Sequence, residues 1–379
     1  MALNTVSSDR LSTNVKASNL NSGFGQLGNR NKIINGSLIV SQRGTSETGI
    51  NGANEGYRNA PDRFKVEGAT FGTHTVSQST DSPNGFSNSY KVDCTTANTS
   101  LSAGSIFEIV QKIEGQNLQD FAKGTSDAKQ YALSFHVKTT KTGTYVVVLQ
   151  DEDNTRICSK TYTVSDTNWN KYELIFPADT TGAFGNDNNA SLSVRFVLVA
   201  GTTYTSGTLQ TTWANRVHAN TRVGQVNFAD STSNDWYLTG AQLEVGSETT
   251  DFEHRSFSQE LALCQRYFLK FDPSGTDSYC FAGKGAGTTG VDFNFILPRP
   301  LRASPTVALE DGGGGNLRAT INATNGVSTS GNTPTVQGFN SNVNMLQLRQ
   351  TGHSSMTDGV VSMASLSSSG VFITFSSEL

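Results

Sequence analysis

The chain has 379 residues, with 28 Lys and Arg against 32 Asp and Glu, for a net charge of −4. No apolar run approaches the ~18 residues of a spanning helix, and the weakly acidic balance makes no basic field; membrane insertion and nucleic-acid binding are therefore excluded as expectations. With 16% charged residues and 37 glycines, the composition is poor in helix formers and rich in turn and strand formers, which leaves glycans, neutral ligands and other proteins as partners.

Residues 1–30 are polar, with scattered Leu3, Val6, Leu11, Val15 and Leu20 that follow neither a helical nor a strand period. Such a segment cannot build its own core, so it reads as an attachment arm ordered by docking, or as a frayed terminus. The start MALNTVSSDR has neither a basic region nor an apolar stretch, predicting no secretory leader. From 31 to 256, short strand-like runs alternate with turn residues: 33–40, 63–66, 89–95, 106–113, 131–138, 144–150, 157–164, 172–176, 191–199 and 236–245. In YALSFHVK, Tyr131, Leu133, Phe135 and Val137 share one face. TTKTGTY and DEDNTR supply two successive hairpin links. This pattern predicts an all-β chain whose first domain, residues 31–256, is a two-sheet jelly-roll β-sandwich.

Near residue 256 the texture changes. Ser256 and Gln259 fit a capping box, while Leu261, Cys264 and Phe268 lie on one helical face, predicting a single short helix. The runs YFLKF, GVDFNFILP, NMLQLRQ and GVFITFSS then predict a second, smaller β-sandwich, so that 257–379 is a helix plus a C-terminal domain. DGGGGNL, residues 311–317, predicts a loop between strands. The cysteines Cys94, Cys158, Cys264 and Cys280 have no metal-ligand spacing, and Cys94 and Cys158, within strand-like alternation, read as small buried hydrophobes.

NRNKIINGSLIVSQRG (29–44), APDRF (60–64), NWNKYELIFPA (168–178), WYLTGAQLEVG (236–246) and FEHRSFSQELALCQRYF (252–268) together resemble a domain common in bacteriophage tail fibres and related virion appendage proteins. The resemblance covers about residues 30–270. It implies a carbohydrate-binding-module-like jelly roll, a short helix and a variable C-terminal β domain, in a virion protein that is commonly a homotrimer. On that basis the expected function is a short tail fibre or adhesin recognising a host-surface glycan, joined to other virion proteins by the N-terminal arm and assembled in the host cytoplasm. A capsid or neck fibre with a purely docking role is the alternative, and a glycan-degrading appendage a further one.

Sugars present apolar C–H patches beside hydroxyls, so their sites combine aromatic faces with Asn, Asp and Arg. The loop 201–222 carries such a mixture in Tyr204, Trp213, Asn215, Arg216 and His218, and reads either as a ligand contact or as a loop that tucks its Trp into the sandwich edge. Tyr279, Phe281, Phe339 and SNVNM form a second candidate surface in the C-terminal domain. Glu253 and Arg255, two apart in an extended FEHR segment, are expected to pair as an interdomain latch, with His254 facing the other way. Glycoside cleavage needs two carboxyl groups beside the scissile bond; Glu108, Glu114, Asp151, Glu152, Asp153, Asp187 and Asp235 are available, without a sequence signal that any two converge. DED at 151–153 reads as a solvated turn or a calcium site, although its spacing matches no EF-hand loop. No nucleophile elbow, no zinc-protease motif and no phosphate loop occurs, so no enzyme and no cofactor are expected.

Overall fold

The computed structural model describes residues 28–272, 279–311, 317–321, 326–330, 334–338, 345–353, 356, 361–366 and 371–379. Most of the expected arm and the glycine loop 312–316 lie outside them. In chain order the strands of the first half are β1 (Ser46–Ile50), β2 (Gly56–Tyr57), β3 (Lys65–Ala69), β4 (Thr73–Ser79), β5 (Ser89–Thr96), β6 (Ile106–Glu114), β7 (Tyr131–Thr139), β8 (Gly143–Asp151), β9 (Arg156–Val164), β10 (Asn170–Phe176), β11 (Ala190–Ala200), β12 (Ala214–Asn215) and β13 (Asp235–Val245). They form two antiparallel sheets, ordered β1-β4-β5-β13-β7-β10 and β12-β9-β8-β11-β6-β3-β2. Successive strands cross repeatedly from one sheet to the other, giving a jelly-roll sandwich.

Period-2 alternation explains the packing. Tyr131, Leu133, Phe135 and Val137 of β7 meet Tyr145, Val147 and Leu149 of β8 and Leu192, Val194 and Phe196 of β11 in one core that also buries Trp236 completely. Each such side chain contributes about 1.5–3 kcal/mol when fully buried. The expected strand at 33–40 is instead a buried turn. Asn35, at φ 60°, donates from its amide to the carbonyls of Val40 (2.8 Å) and Asp62 (3.0 Å) and accepts from the Val40 amide. Asn31 likewise accepts from the Ile33 and Leu243 amides. Two asparagines thus replace strand pairing, and a Cβ on Gly36 would overlap the Ala241 carbonyl. Arg63, read as the first residue of a strand, sits at φ 74° just before β3.

The helix α2 (Phe257–Gln265) carries the capping box: the Ser256 side chain accepts from the Gln259 amide and Gln259 accepts from the Ser256 amide. A short helical turn α1 (Thr202–Thr205) lies earlier in the chain. After α2 come β14 (Phe268–Phe271), β15 (Tyr279–Ala286), β16 (Gly290–Ile296), β17 (Thr306–Asp311), β18 (Leu317–Ile321), β19 (Gly326–Ser330), β20 (Thr335–Gly338), β21 (Met345–Thr351), β22 (Val361–Leu366) and β23 (Val371–Ser376). They form a three-stranded sheet, β14-β23-β17, and a seven-stranded sheet, β19-β18-β22-β15-β16-β21-β20. Leu269, Ile373 and Phe375 of the first meet Val291, Phe293, Phe295, Leu346 and Leu348 of the second in a separate core. The chain is therefore all-β apart from short helices, with a second, smaller sandwich after α2.

Charged residues join the two halves. The guanidinium of Arg63, 1% exposed, lies 3.4 Å from the Tyr267 ring centroid, pairs with Glu378 and donates to the Lys112 carbonyl at 2.8 Å. Arg43 bridges Glu378 (3.0 Å) and Asp62 (3.6 Å) over the Phe268 ring. Arg266 grips Glu114 with two 2.8 Å bonds, and Arg302 donates to the carbonyls of Asn188 and Ser377. A guanidinium cannot shed its charge, so removing its carboxylate strands a buried cation. Glu378→Ala is expected to destabilise the chain by about 3–5 kcal/mol, measured by urea unfolding; an unchanged midpoint would contradict this account of the joint.

His74 on β4 is fully buried among the rings of Phe71, Phe107 and Phe228, and neither ring nitrogen has a hydrogen-bond partner among the described residues. Burial lowers its pKa from 6.5 to about 4. The unfolded chain therefore takes up the proton first, and stability is lost as pH falls from 6.5 towards 4, by a total on the order of 3 kcal/mol. His74→Leu is expected to remove that part of the acid sensitivity in unfolding titrations at pH 7 and pH 4.

Candidate functional site

The outer face of the seven-stranded sheet of the jelly roll divides in two. Val146, Val148, Ile157, Val197 and Ala200 form an apolar half, covered by Tyr204 and Leu209 of the loop between β11 and β13. That loop is fastened as a flap: the Ser159 amide donates to the Gln210 carbonyl (2.7 Å), the Ser159 hydroxyl to Thr221 (2.8 Å), and the Val226 amide to Thr144 (2.8 Å). The other half is polar. Register places Glu67 opposite Glu108 and Glu108 opposite Val197, so these side chains share the outer face.

Between the flap and the β2 edge opens a cleft of about 280 Å³. Arg195 and Glu108 form its floor with Gln150, Glu67 and Ile106; Tyr204, Arg216, His218 and Arg222 line the flap side, and Glu55, Gly68 and Ala69 the opposite side. Arg195 is the one charged residue of β11 and is compensated by three carboxylates: Glu67 at 2.6 Å, Glu108 at 3.0 Å and Glu152 at 3.2 Å. Glu108 in turn accepts from Arg222 at 2.5 Å, and the Arg222 guanidinium lies 5.2 Å from the Tyr204 ring centroid. A relay of charge from floor to wall thereby fixes the tyrosine, whose ring also meets His218 edge-on at 5.9 Å. Burial pushes the Glu67 carboxyl up, but Arg195 and Lys65 outweigh it and hold the pKa at about 2. Burial also opposes ionisation of Glu108, and again the two arginines prevail and keep it below the ordinary range.

Of the five loop residues singled out from the sequence, Tyr204, Arg216 and His218 line this cleft. Trp213 does not: it is 9% exposed, packs against Tyr131 at 5.4 Å and donates its indole N–H to the Pro177 carbonyl at 2.8 Å, which is the edge-tucking alternative. Asn215 is exposed on β12, paired with Arg156 across the edge of the sheet, and is not among the cleft residues. The second candidate surface falls mostly outside the described residues, since the Tyr279, Phe281 and Phe339 side chains and 341–344 are not among them. Glu253 and Arg255 lie 3.4 Å apart, yet their other partners are close by in the first sandwich and α2. Glu253 accepts from the Asn29 and Asn31 amides, and Arg255 donates to the Asn31 carbonyl and to Glu260. His254 faces away, against Phe86 and Phe252. From the first sandwich, Arg63, Arg43 and Tyr57 reach the segment after β23, at Glu378 and Leu379.

Among the candidate carboxylates, Asp151 corrects the expectation of a solvated turn. It is fully buried and holds the ammonium of Lys123 at 2.5 Å, with Asp179 at 3.1 Å and the carbonyls of Thr181 and Gly182 completing an oxygen cage around that ammonium. Asp153 instead accepts from the Gly185 amide. No group of three or more metal-ligating side chains converges among the described residues. Glu55, Glu67, Arg195 and Arg222 were not singled out from the sequence. For Arg195 the signal was present: a lone Arg inside SLSVRFVLV must find carboxylates if the strand is central.

No protein-family model and no curated protein matches the chain. Among solved structures it is similar to a family 11 carbohydrate-binding module of Clostridium thermocellum in complex with a β-1,3-1,4-mixed-linked tetrasaccharide (11% identity, 56% of this chain and 99% of that one, TM-score 0.27). It is also similar to a family 16 carbohydrate-binding module (16%, 44% and 84%, 0.23) and to TmCBM61 in complex with β-1,4-galactotriose (10%, 57% and 99%, 0.27).

Trp213→Ala is expected to cost about 3–5 kcal/mol of stability, read by urea unfolding, because it empties a packed edge and strands the Pro177 carbonyl. A loss below 1 kcal/mol would contradict its structural placement.

Proposed function

We propose that the chain binds a glycan, without cleaving it, in the cleft between the flap and the β2 edge. The observation that carries this reading is the composition of the cleft: a fixed tyrosine ring, an imidazole and a guanidinium on one wall face a carboxylate on the other, across a floor whose own charges are mutually satisfied. Such a surface offers apolar contact and hydrogen-bond donors and acceptors while asking little reorganisation of the protein. The non-catalytic part is supported by Glu67 and Glu108. Glycoside cleavage requires one carboxyl group kept protonated as general acid, whereas both of these are held ionised by Arg195 and its neighbours.

The motif resemblance adds the setting: a trimeric virion appendage that recognises a host surface. Three weak sites on one particle component raise avidity by orders of magnitude without any tight single site. A docking role within the particle is the second reading, favoured by Ile296 and Met345, paired neighbours on β16 and β21 that are 78% and 46% exposed. Antibody raised against residues 257–379 and located on purified particles separates the two, at fibre tips for an adhesin and at the capsid or neck for a docking component.

Tyr204→Ala with His218→Ala is expected to weaken binding to the best glycan of an array at least about tenfold in a variant whose circular dichroism shows an intact fold. Unchanged binding by a folded double variant would refute the cleft assignment. The sedimentation mass is expected to be three times the 40.5 kDa of one chain; a monomer in a folded sample would refute the trimer.

A further inference from the structure

We infer that the cleft selects glycans carrying a carboxylate, and that Arg216 is the residue that reads it; this rests on the glycan-binding reading. Three arginines line the cleft, and their situations differ. Arg195 pairs with Glu67, Glu108 and Glu152, and the buried Arg222 pairs with Glu108 and donates to the Thr221 hydroxyl. Arg216 is half-buried, and its backbone amide is fixed to the Thr155 carbonyl at 3.0 Å, while its guanidinium has no ion pair or hydrogen bond among the described residues. It is the cation of this cleft left free to meet a ligand.

Its placement gives the cleft a direction. Arg216 directly follows β12, one edge strand of the sheet, whereas Glu55 directly precedes β2, the strand at the opposite edge. The cleft therefore runs from a wall bearing Arg216, His218 and the Tyr204 ring to a wall bearing the Glu55 carboxylate, which accepts from the Gly68 amide at 3.0 Å and stays exposed. A sugar carboxylate is attracted to the first wall, where the planar guanidinium can take it with two parallel hydrogen bonds, and repelled from the second, where sugar hydroxyls can donate to Glu55. The buried floor is neutralised internally, so it neither competes for the carboxylate nor adds a second attraction. The ligand class that fits is an acidic glycan, with a uronic acid as the simplest member, bound with its acid group under the flap.

The test uses the full chain and matched pairs of oligosaccharides, oligomers of galacturonate, glucuronate and mannuronate and the same oligomers with their carboxyl groups reduced to alcohols. Isothermal titration at low and moderate salt is expected to show at least one acid form binding about ten- to a hundredfold tighter than its reduced partner, the range of a charge-assisted pair. The preference should shrink as salt is raised. Arg216→Gln should lower the acid form to the level of the reduced form while leaving the reduced form unchanged, and Arg216→Lys should recover part of the difference. Equal binding of acid and reduced forms, or an acid preference that survives Arg216→Gln in a folded variant, overturns the role of Arg216 and leaves the glycan-binding reading standing. Absence of binding for every pair overturns the acidic-glycan inference, and only a glycan array without a binder overturns the glycan-binding reading as well.

Discussion

An arginine taken into a protein interior keeps its charge, and everything around it has to be arranged for that charge. Two such residues organise this chain. Arg63 is held by the Tyr267 ring, Glu378 and the Lys112 carbonyl, which draws the last residues of the second sandwich onto the first. Arg195 gathers Glu67, Glu108 and Glu152 on the outer face of the jelly roll, and through Glu108 and Arg222 that same compensation positions Tyr204. The joint and the cleft are thus two solutions of one problem. In each, a cation in a low-dielectric setting dictates which side chains are already fixed.

This ordering explains why the cleft is preorganised. Its floor has spent its hydrogen-bonding capacity internally, so the groups left to face a ligand sit on the flap and on the β2 edge. The flap is held by backbone bonds to β8 and β9, by a small apolar cluster beneath Tyr204 and Leu209, and by Trp213, which anchors its far end in the main core. A ligand entering there meets a surface whose geometry is supported from below by ion pairs and from the side by strand edges.

Much of the architecture was legible in the residues. The alternation in YALSFHVK, the capping box at Ser256 and Gln259, and the strand runs on either side of α2 all describe local constraints that the fold keeps. What escaped was non-local. The stretch 33–40 looks like a strand because Ile33, Leu38 and Val40 are apolar, yet Asn31 and Asn35 bind backbone groups far along the chain and turn it. Asp151 looks like a wet turn until Lys123 arrives from another loop. At the cleft, Tyr204, Arg216 and His218 could be picked out as a mixture of residue types within one loop, whereas Glu55 and Glu67 are joined to them only by the sheet order, which no short window of sequence contains. Trp213 was the most conspicuous residue of that loop and proves to be part of the core, because a large apolar ring next to an uncovered sandwich edge gains more from burial than from waiting for a ligand.

The central claim is that the flap-side cleft is where this chain meets a glycan, and the most direct measurement is a crystal structure of the full chain with the tightest oligosaccharide bound. Sugar density lying across the floor between Glu55 and Arg216, in contact with Tyr204, is the predicted result. Density confined to the outer face of the other jelly-roll sheet or to the second sandwich, with the cleft filled only by solvent, would contradict it.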